Sequence, residues 1–124
     1  MWIGVDLLRE GELDALLRRA WFRLYTYAPQ ELATADSFGP ERAVEFLTGR
    51  FAGKEAVLKM IGTGVGAGVT PRQVAILRAD SGAPQVRLFG RAARCAAERG
   101  IAEIAISITH KRGLVFAAAV GTSG

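Results

Sequence analysis

The stretch FLTGRFAGKEAVLKMIGTG, Phe46 to Gly64, decides how the rest of the chain is read. Phe46, Leu47, Phe51, Val57, Leu58 and Ile61 carry the apolar spacing of a helix, and Arg50, Lys54, Glu55 and Lys59 crowd charge into about three of its turns. The pattern predicts one long helix over 41–61, entered through Gly39-Pro40 and stopped at Gly62. Gly49 and Gly53 each cost about 1 kcal/mol relative to alanine inside a helix, so they point to close approach by a neighbouring backbone or a ligand. Glu55 and Lys59 stand four apart in the order that suits an ion pair, and a solvated salt bridge is their plainest role.

Before this helix, Trp2 to Leu7 reads as a strand that delivers Asp6 at or near its end, where the simplest task for an acid is to cap the helix that follows. Glu10 to Tyr25 reads as that helix, with Leu13, Leu16, Leu17, Ala20 and Leu24 on its buried stripe and Arg9, Arg18, Arg19 and Arg23 outside or at its margins. Pro29 and mixed polar residues make 25–38 a connector.

After the helix, the alternating glycines of 62–68 form a loop closed by Thr70-Pro71. A short strand over 74–77, a turn at Asp80-Ser81-Gly82-Ala83-Pro84 into 86–88, a small helix over 90–100 and a final pair of strands over 101–109 and 114–120 complete the chain. His110, the sole histidine, ends the penultimate strand, where a structural hydrogen bond is its ordinary role. Mixed elements with a terminal hairpin give an α+β fold: a small antiparallel sheet packed on the long central helix, in a single domain over 1–124.

Composition narrows the function classes. Half of the 124 residues are apolar, yet no run approaches the ~20 residues of a membrane helix, and the opening MWIGVDLLRE lacks the features of a signal peptide. The expectation is a cytoplasmic protein with no membrane partner, and the lone Cys95 agrees. A net charge of +4 favours an anionic partner: a nucleotide, an acidic protein or nucleic acid. Nucleic acid is disfavoured, because the basic residues are spread out and lack interleaved aromatics. Two phosphate motifs fail. Gly49 to Lys54 is one residue short of a Walker A and has Glu55 where Ser or Thr belongs, and the 62–68 glycines follow a helix rather than a strand.

Asp6, Glu55, Lys59 and His110 are each unremarkable alone but consistent together. Two carboxylates from separate segments, completed by phosphate oxygens and water, suit a magnesium ion, and nearby lysines would balance the remaining phosphate charge. The chain also resembles the holo-[acyl-carrier-protein] synthase family, the small class of 4′-phosphopantetheinyl transferases. The resemblance rests on IGVDLL at Ile3 to Leu8, the quoted central stretch, the SGAP turn at Ser81 to Pro84 and SITHKRGLVFAAAV at Ser107 to Val120.

The resemblance implies magnesium held by Asp6 and Glu55, with coenzyme A as donor and an apo acyl carrier protein, acidic and helical, as acceptor. A carrier serine would attack the β-phosphorus and release adenosine 3′,5′-bisphosphate, with Glu55 or a metal-linked water as base. Lys59 would neutralise the diphosphate, Arg50, Lys54 and His110 would meet the coenzyme phosphates, and Gly62, Thr63 and Gly64 would border the nucleotide. It further implies a homotrimer with sites between subunits, and a carrier of fatty-acid, polyketide or peptide synthesis.

Two departures stand out. The family usually reads SxSHT where this chain has Ser107-Ile108-Thr109-His110-Lys111, and Glu12 occupies the place of a basic residue that meets the carrier, leaving Arg9, Arg18, Arg19 and Arg23 to supply that charge. The rivals are a non-catalytic coenzyme-binding module and a nucleic-acid-binding domain.

Overall fold

The computed structural model describes residues 1–62 and 68–124. Its elements are β1 (Trp2–Arg9), α1 (Asp14–Leu17), α2 (Ala20–Thr26), α3 (Pro29–Asp36), α4 (Pro40–Ile61), β2 (Val74–Arg78), β3 (Pro84–Leu88), α5 (Gly90–Glu98), β4 (Glu103–Lys111) and β5 (Leu114–Thr122). The strands form an antiparallel sheet in the order β1-β5-β4 and a separate β2-β3 hairpin.

α4 lies across one face of the three-stranded sheet, and Ala52, Ala56, Val57 and Met60 meet Val115, Ala117 and Ala119 of β5 in the core. The small residues let helix and sheet approach closely. Gly4 on β1 marks the tightest point: a Cβ there would stand 2.1 Å from the Ala56 carbonyl oxygen and 2.6 Å from the Met60 nitrogen. That backbone contact is the one the glycines of α4 seemed to announce. Gly49 and Gly53 instead make room for side chains, His110 at the first and Ile76 and Ile106 at the second. Gly62 ends α4 in the left-handed conformation, with φ 81°.

The opposite face of the sheet is apolar and open. Ile3, Val5 and Leu7 of β1 and Leu114 and Phe116 of β5 are all exposed. Strand alternation produces this pattern, because the same strands that bury Gly4, Leu8, Val115 and Ala117 must turn their intervening residues away from α4.

The N-terminal half corrects the sequence expectation twice. The helix expected over 10–25 breaks at Arg18 and Arg19, and Arg23 Nη1 donates to the Leu17 carbonyl at the end of α1, 2.6 Å away. The buried positions run Leu13, Leu17, Phe22, Thr26, so one step of five replaces a step of four. A continuous helix would drift out of phase there. Leu16, Ala20 and Leu24, expected inside, are exposed, beside Trp21 and Tyr25. The connector contains α3, with Pro29 in its first turn rather than breaking a helix, and the Ala28 N–H donates to Glu31 Oε1 at 2.8 Å.

Candidate active site

Asp6 lies inside β1, three residues before its end, paired in register with Ala117. Its side chain therefore points toward α4 rather than capping a helix. Lys59 Nζ donates to Asp6 Oδ1 at 2.8 Å, so the ion pair joins α4 to β1 instead of joining Lys59 to Glu55. Asp6 Oδ2 is buried and has no hydrogen-bond partner among the described residues.

Glu55 stands beside this pair. Burial, and then the Asp6 carboxylate, push its carboxyl above the ordinary carboxylate range, with Lys59 pulling the other way. The hydrogen bond to Asp6 is the main reason the exposed Lys59 ammonium is held above its ordinary value. Lys59 bonds one of two neighbouring carboxylates, and among the described residues one buried Asp6 oxygen has no partner. That donor set fits a divalent cation. Among the described residues no group of three His, Cys, Asp or Glu side chains could hold a metal, so its remaining positions would fall to water and substrate oxygens.

Arg50 occupies a different side of α4. It precedes Glu55 by five residues, which on an ideal helix is about 140° of rotation. Its Nε donates to the Ile76 carbonyl at 3.0 Å, and its guanidinium stacks 4.5 Å from the centre of the Phe46 ring. Burial lowers the Arg50 value and Glu31 raises it. Arg50 lines a recess of about 190 Å³ with Arg42, Arg78, His110, Phe38, Phe46 and one carboxylate, Glu45. The Arg42 guanidinium lies 4.1 Å from the centre of the Phe38 ring. Three guanidiniums and an imidazole outweigh the single Glu45 carboxylate, and with two aromatic rings they suit an anionic group carried by a planar base. Arg42 and Arg78 were not singled out from the sequence, because they stand outside the central motif and only folding gathers them. His110 and Glu45 also border a second recess, lined by Glu10, Asp14 and Glu41, so both residues stand between the basic and the acidic recess.

Lys54 does not join either site. It is fully buried, and its Nζ donates to Glu31, to the Val74 carbonyl at 2.6 Å and to the Pro71 carbonyl at 3.2 Å. All three ammonium protons are thus engaged, which removes it from the residues that could meet a coenzyme phosphate. Burial pulls its ammonium below the ordinary lysine range, against the opposing pull of Glu31. Gly62 is exposed at the end of α4, while the roles expected for Thr63 and Gly64 lie outside the described residues.

Comparison with known proteins places the chain in a family. Residues 3–118 match the family model of the 4′-phosphopantetheinyl transferase superfamily. The chain is 34% identical over 120 residues to a holo-[acyl-carrier-protein] synthase of Desulfovibrio desulfuricans, covering 95% of this chain and 94% of that one. It is 38% identical over 127 residues to that of Desulforudis audaxviator, covering 98% and 93%.

Among solved structures, the holo-[acyl-carrier-protein] synthase of Neisseria meningitidis superposes with a TM-score of 0.84 at 28% identity, covering 98% of this chain and 97% of that one. The Bacillus anthracis holo-(acyl-carrier-protein) synthase, in complex with CoA (3′,5′-ADP), superposes with a TM-score of 0.81 at 26% identity, covering 99% and 96%. The chain belongs to the 4′-phosphopantetheinyl transferase superfamily and groups within it with the holo-[acyl-carrier-protein] synthase enzymes.

Proposed function

We propose that this protein transfers 4′-phosphopantetheine from coenzyme A to a serine of an apo carrier protein in a magnesium-dependent reaction. The observation that carries the reading is the Asp6, Glu55 and Lys59 constellation, in which a buried Asp6 oxygen has no partner among the described residues and stands beside a second, raised carboxyl.

Asp6 and Glu55 would hold the magnesium ion, which when bound neutralises diphosphate charge and favours attack at phosphorus. Lys59 projects from the same helix with most of its side chain in solvent, so it can meet a diphosphate oxygen while remaining next to Asp6. The serine Oγ forms a bond to the β-phosphorus as the bond to the bridging oxygen breaks, and adenosine 3′,5′-bisphosphate leaves. Glu55, or a water beside the metal, takes the serine proton. Arg42, Arg50, Arg78 and His110 receive the 3′-phosphate end of the donor, with Phe46 and Phe38 beside the base.

A homotrimer with shared sites is supported by two features. The carboxylates and the arginine recess lie on different sides of α4, so one extended donor reaches both more readily by running from one subunit to the next. The open apolar face formed by Ile3, Val5, Leu7, Leu114 and Phe116 is a surface that a second copy would cover. The exposed Trp21, Leu24 and Tyr25, with the exposed Arg18 and Arg19 close by in sequence, offer apolar and basic groups to an acidic helical carrier.

The reading is tested by release of adenosine 3′,5′-bisphosphate from coenzyme A in the presence of an apo acyl carrier protein. Release that requires both the carrier and magnesium, and that a chelator stops, is expected. Tight coenzyme binding without release would leave a binding module.

A further inference from the structure

We propose that Glu31 is a positioning residue for donor recognition, acting on Arg50 through the backbone of Ile76. The inference rests on the reading of the arginine recess as the seat of the coenzyme's 3′-phosphate.

Among the described residues β2 pairs with β3 on one side only, so its other edge needs partners. Charged side chains supply them. Glu31 Oε2 accepts the Ile76 N–H at 2.9 Å, and the carbonyl of the same residue accepts Arg50 Nε at 3.0 Å. Two residues earlier on this edge, the Val74 carbonyl accepts Lys54. Arg50 and Lys54 are four apart on α4 and face β2 together, with Glu31 of α3 inserted at the same edge.

The anchoring has a consequence for Arg50. With Nε committed to Ile76 and the guanidinium lying on Phe46, its two Nη groups make no hydrogen bond among the described residues and are left to a ligand in the recess it lines with Arg42, Arg78, His110 and Glu45. The direction of those groups depends on where the Ile76 carbonyl sits. The Ile76 peptide edge is in turn held by Glu31, and Glu31 itself is buried among Lys54, Ala28 and Ile76 with both oxygens engaged.

Glu31→Gln isolates this link. One amide oxygen can keep Lys54 and Ala28, and the amide nitrogen then faces the Ile76 N–H, donor against donor. Glu31→Asp keeps the charge beside Lys54 but shortens the reach to Ile76.

The readout is the ratio of kcat/KM for coenzyme A to that for 3′-dephospho-coenzyme A, measured with one apo carrier. A purely structural loss lowers the active fraction equally for both donors and leaves the ratio unmoved. The proposal expects a wild-type preference for coenzyme A that Arg50→Ala abolishes. It expects both Glu31 variants to reduce that preference by about tenfold, chiefly through KM. A preference lost in Arg50→Ala but intact in both Glu31 variants overturns the positioning role alone. A wild-type ratio near unity, or one that Arg50→Ala leaves unchanged, overturns the phosphate reading of the recess and the positioning role with it.

Discussion

Lys59 Nζ reaches across from α4 to Asp6 Oδ1 at 2.8 Å, although Glu55 lies one turn before it on the same helix. The pair fixes the first acid of the site to the lysine and leaves Glu55 as the second, raised carboxyl. Lys59→Ala separates stability from catalysis here. An exposed ion pair is worth at most about 1 kcal/mol, so the melting temperature moves little, while holo-carrier formation falls by about 100-fold or more if the lysine supports the developing charge. Thermal melts alongside initial rates check both.

Glu55 predicts a pH dependence of stability in chelator-treated protein. Its folded value lies above its unfolded one, so above the unfolded value the native state retains the proton longer than the unfolded state. The resulting loss of stability is absent below the ordinary carboxylate range, grows as pH rises through the window up to the raised value, and is complete beyond it. Glu55→Gln is therefore expected to raise the melting temperature at neutral pH and not at pH 4. A gain of equal size at both pH values would show that burial and Asp6 do not act on Glu55 as described.

Gly4→Ala tests the closest contact in the fold. The added methyl meets backbone of Ala56 and Met60, which cannot swing aside as a side chain can. A loss of about 2–3 kcal/mol is expected from denaturant unfolding. Activity should fall with it, because Asp6 is two residues along the same strand.

Shared sites predict complementation. Glu55→Ala subunits, inactive alone, and Arg50→Ala subunits, far below wild type at limiting coenzyme A, are mixed and refolded together. In a ring whose sites join the carboxylates of one subunit to the arginine recess of the next, about a quarter of the sites carry both intact halves. Recovery of about that share of wild-type activity is expected, and none is expected if each subunit holds a whole site.

The central helix and the acids were legible because their signals are local: apolar spacing, a glycine stop, and charge concentrated in one motif. What escaped depends on tertiary placement. Glu31 gives no sign in sequence that it will pair with a lysine 23 positions later, and Lys54 looks like any phosphate-binding lysine until burial occupies its three protons. The first helix was misread because its leucines keep a regular period through Arg18 and Arg19, while Phe22 and Thr26 take the buried positions after the break. α3 is hidden in the sequence because Pro29 reads as a breaker, although a proline in the first helical turn, with glutamate following, also marks a helix start.

The most direct measurement is intact-mass spectrometry of an apo acyl carrier protein incubated with coenzyme A, magnesium and either the wild-type protein or Glu55→Ala. The account predicts that the wild-type protein adds one phosphopantetheine group to the carrier and that Glu55→Ala, or a chelator, leaves it unmodified. An unmodified carrier with active wild-type controls for folding and coenzyme binding, or full modification by Glu55→Ala, would contradict it.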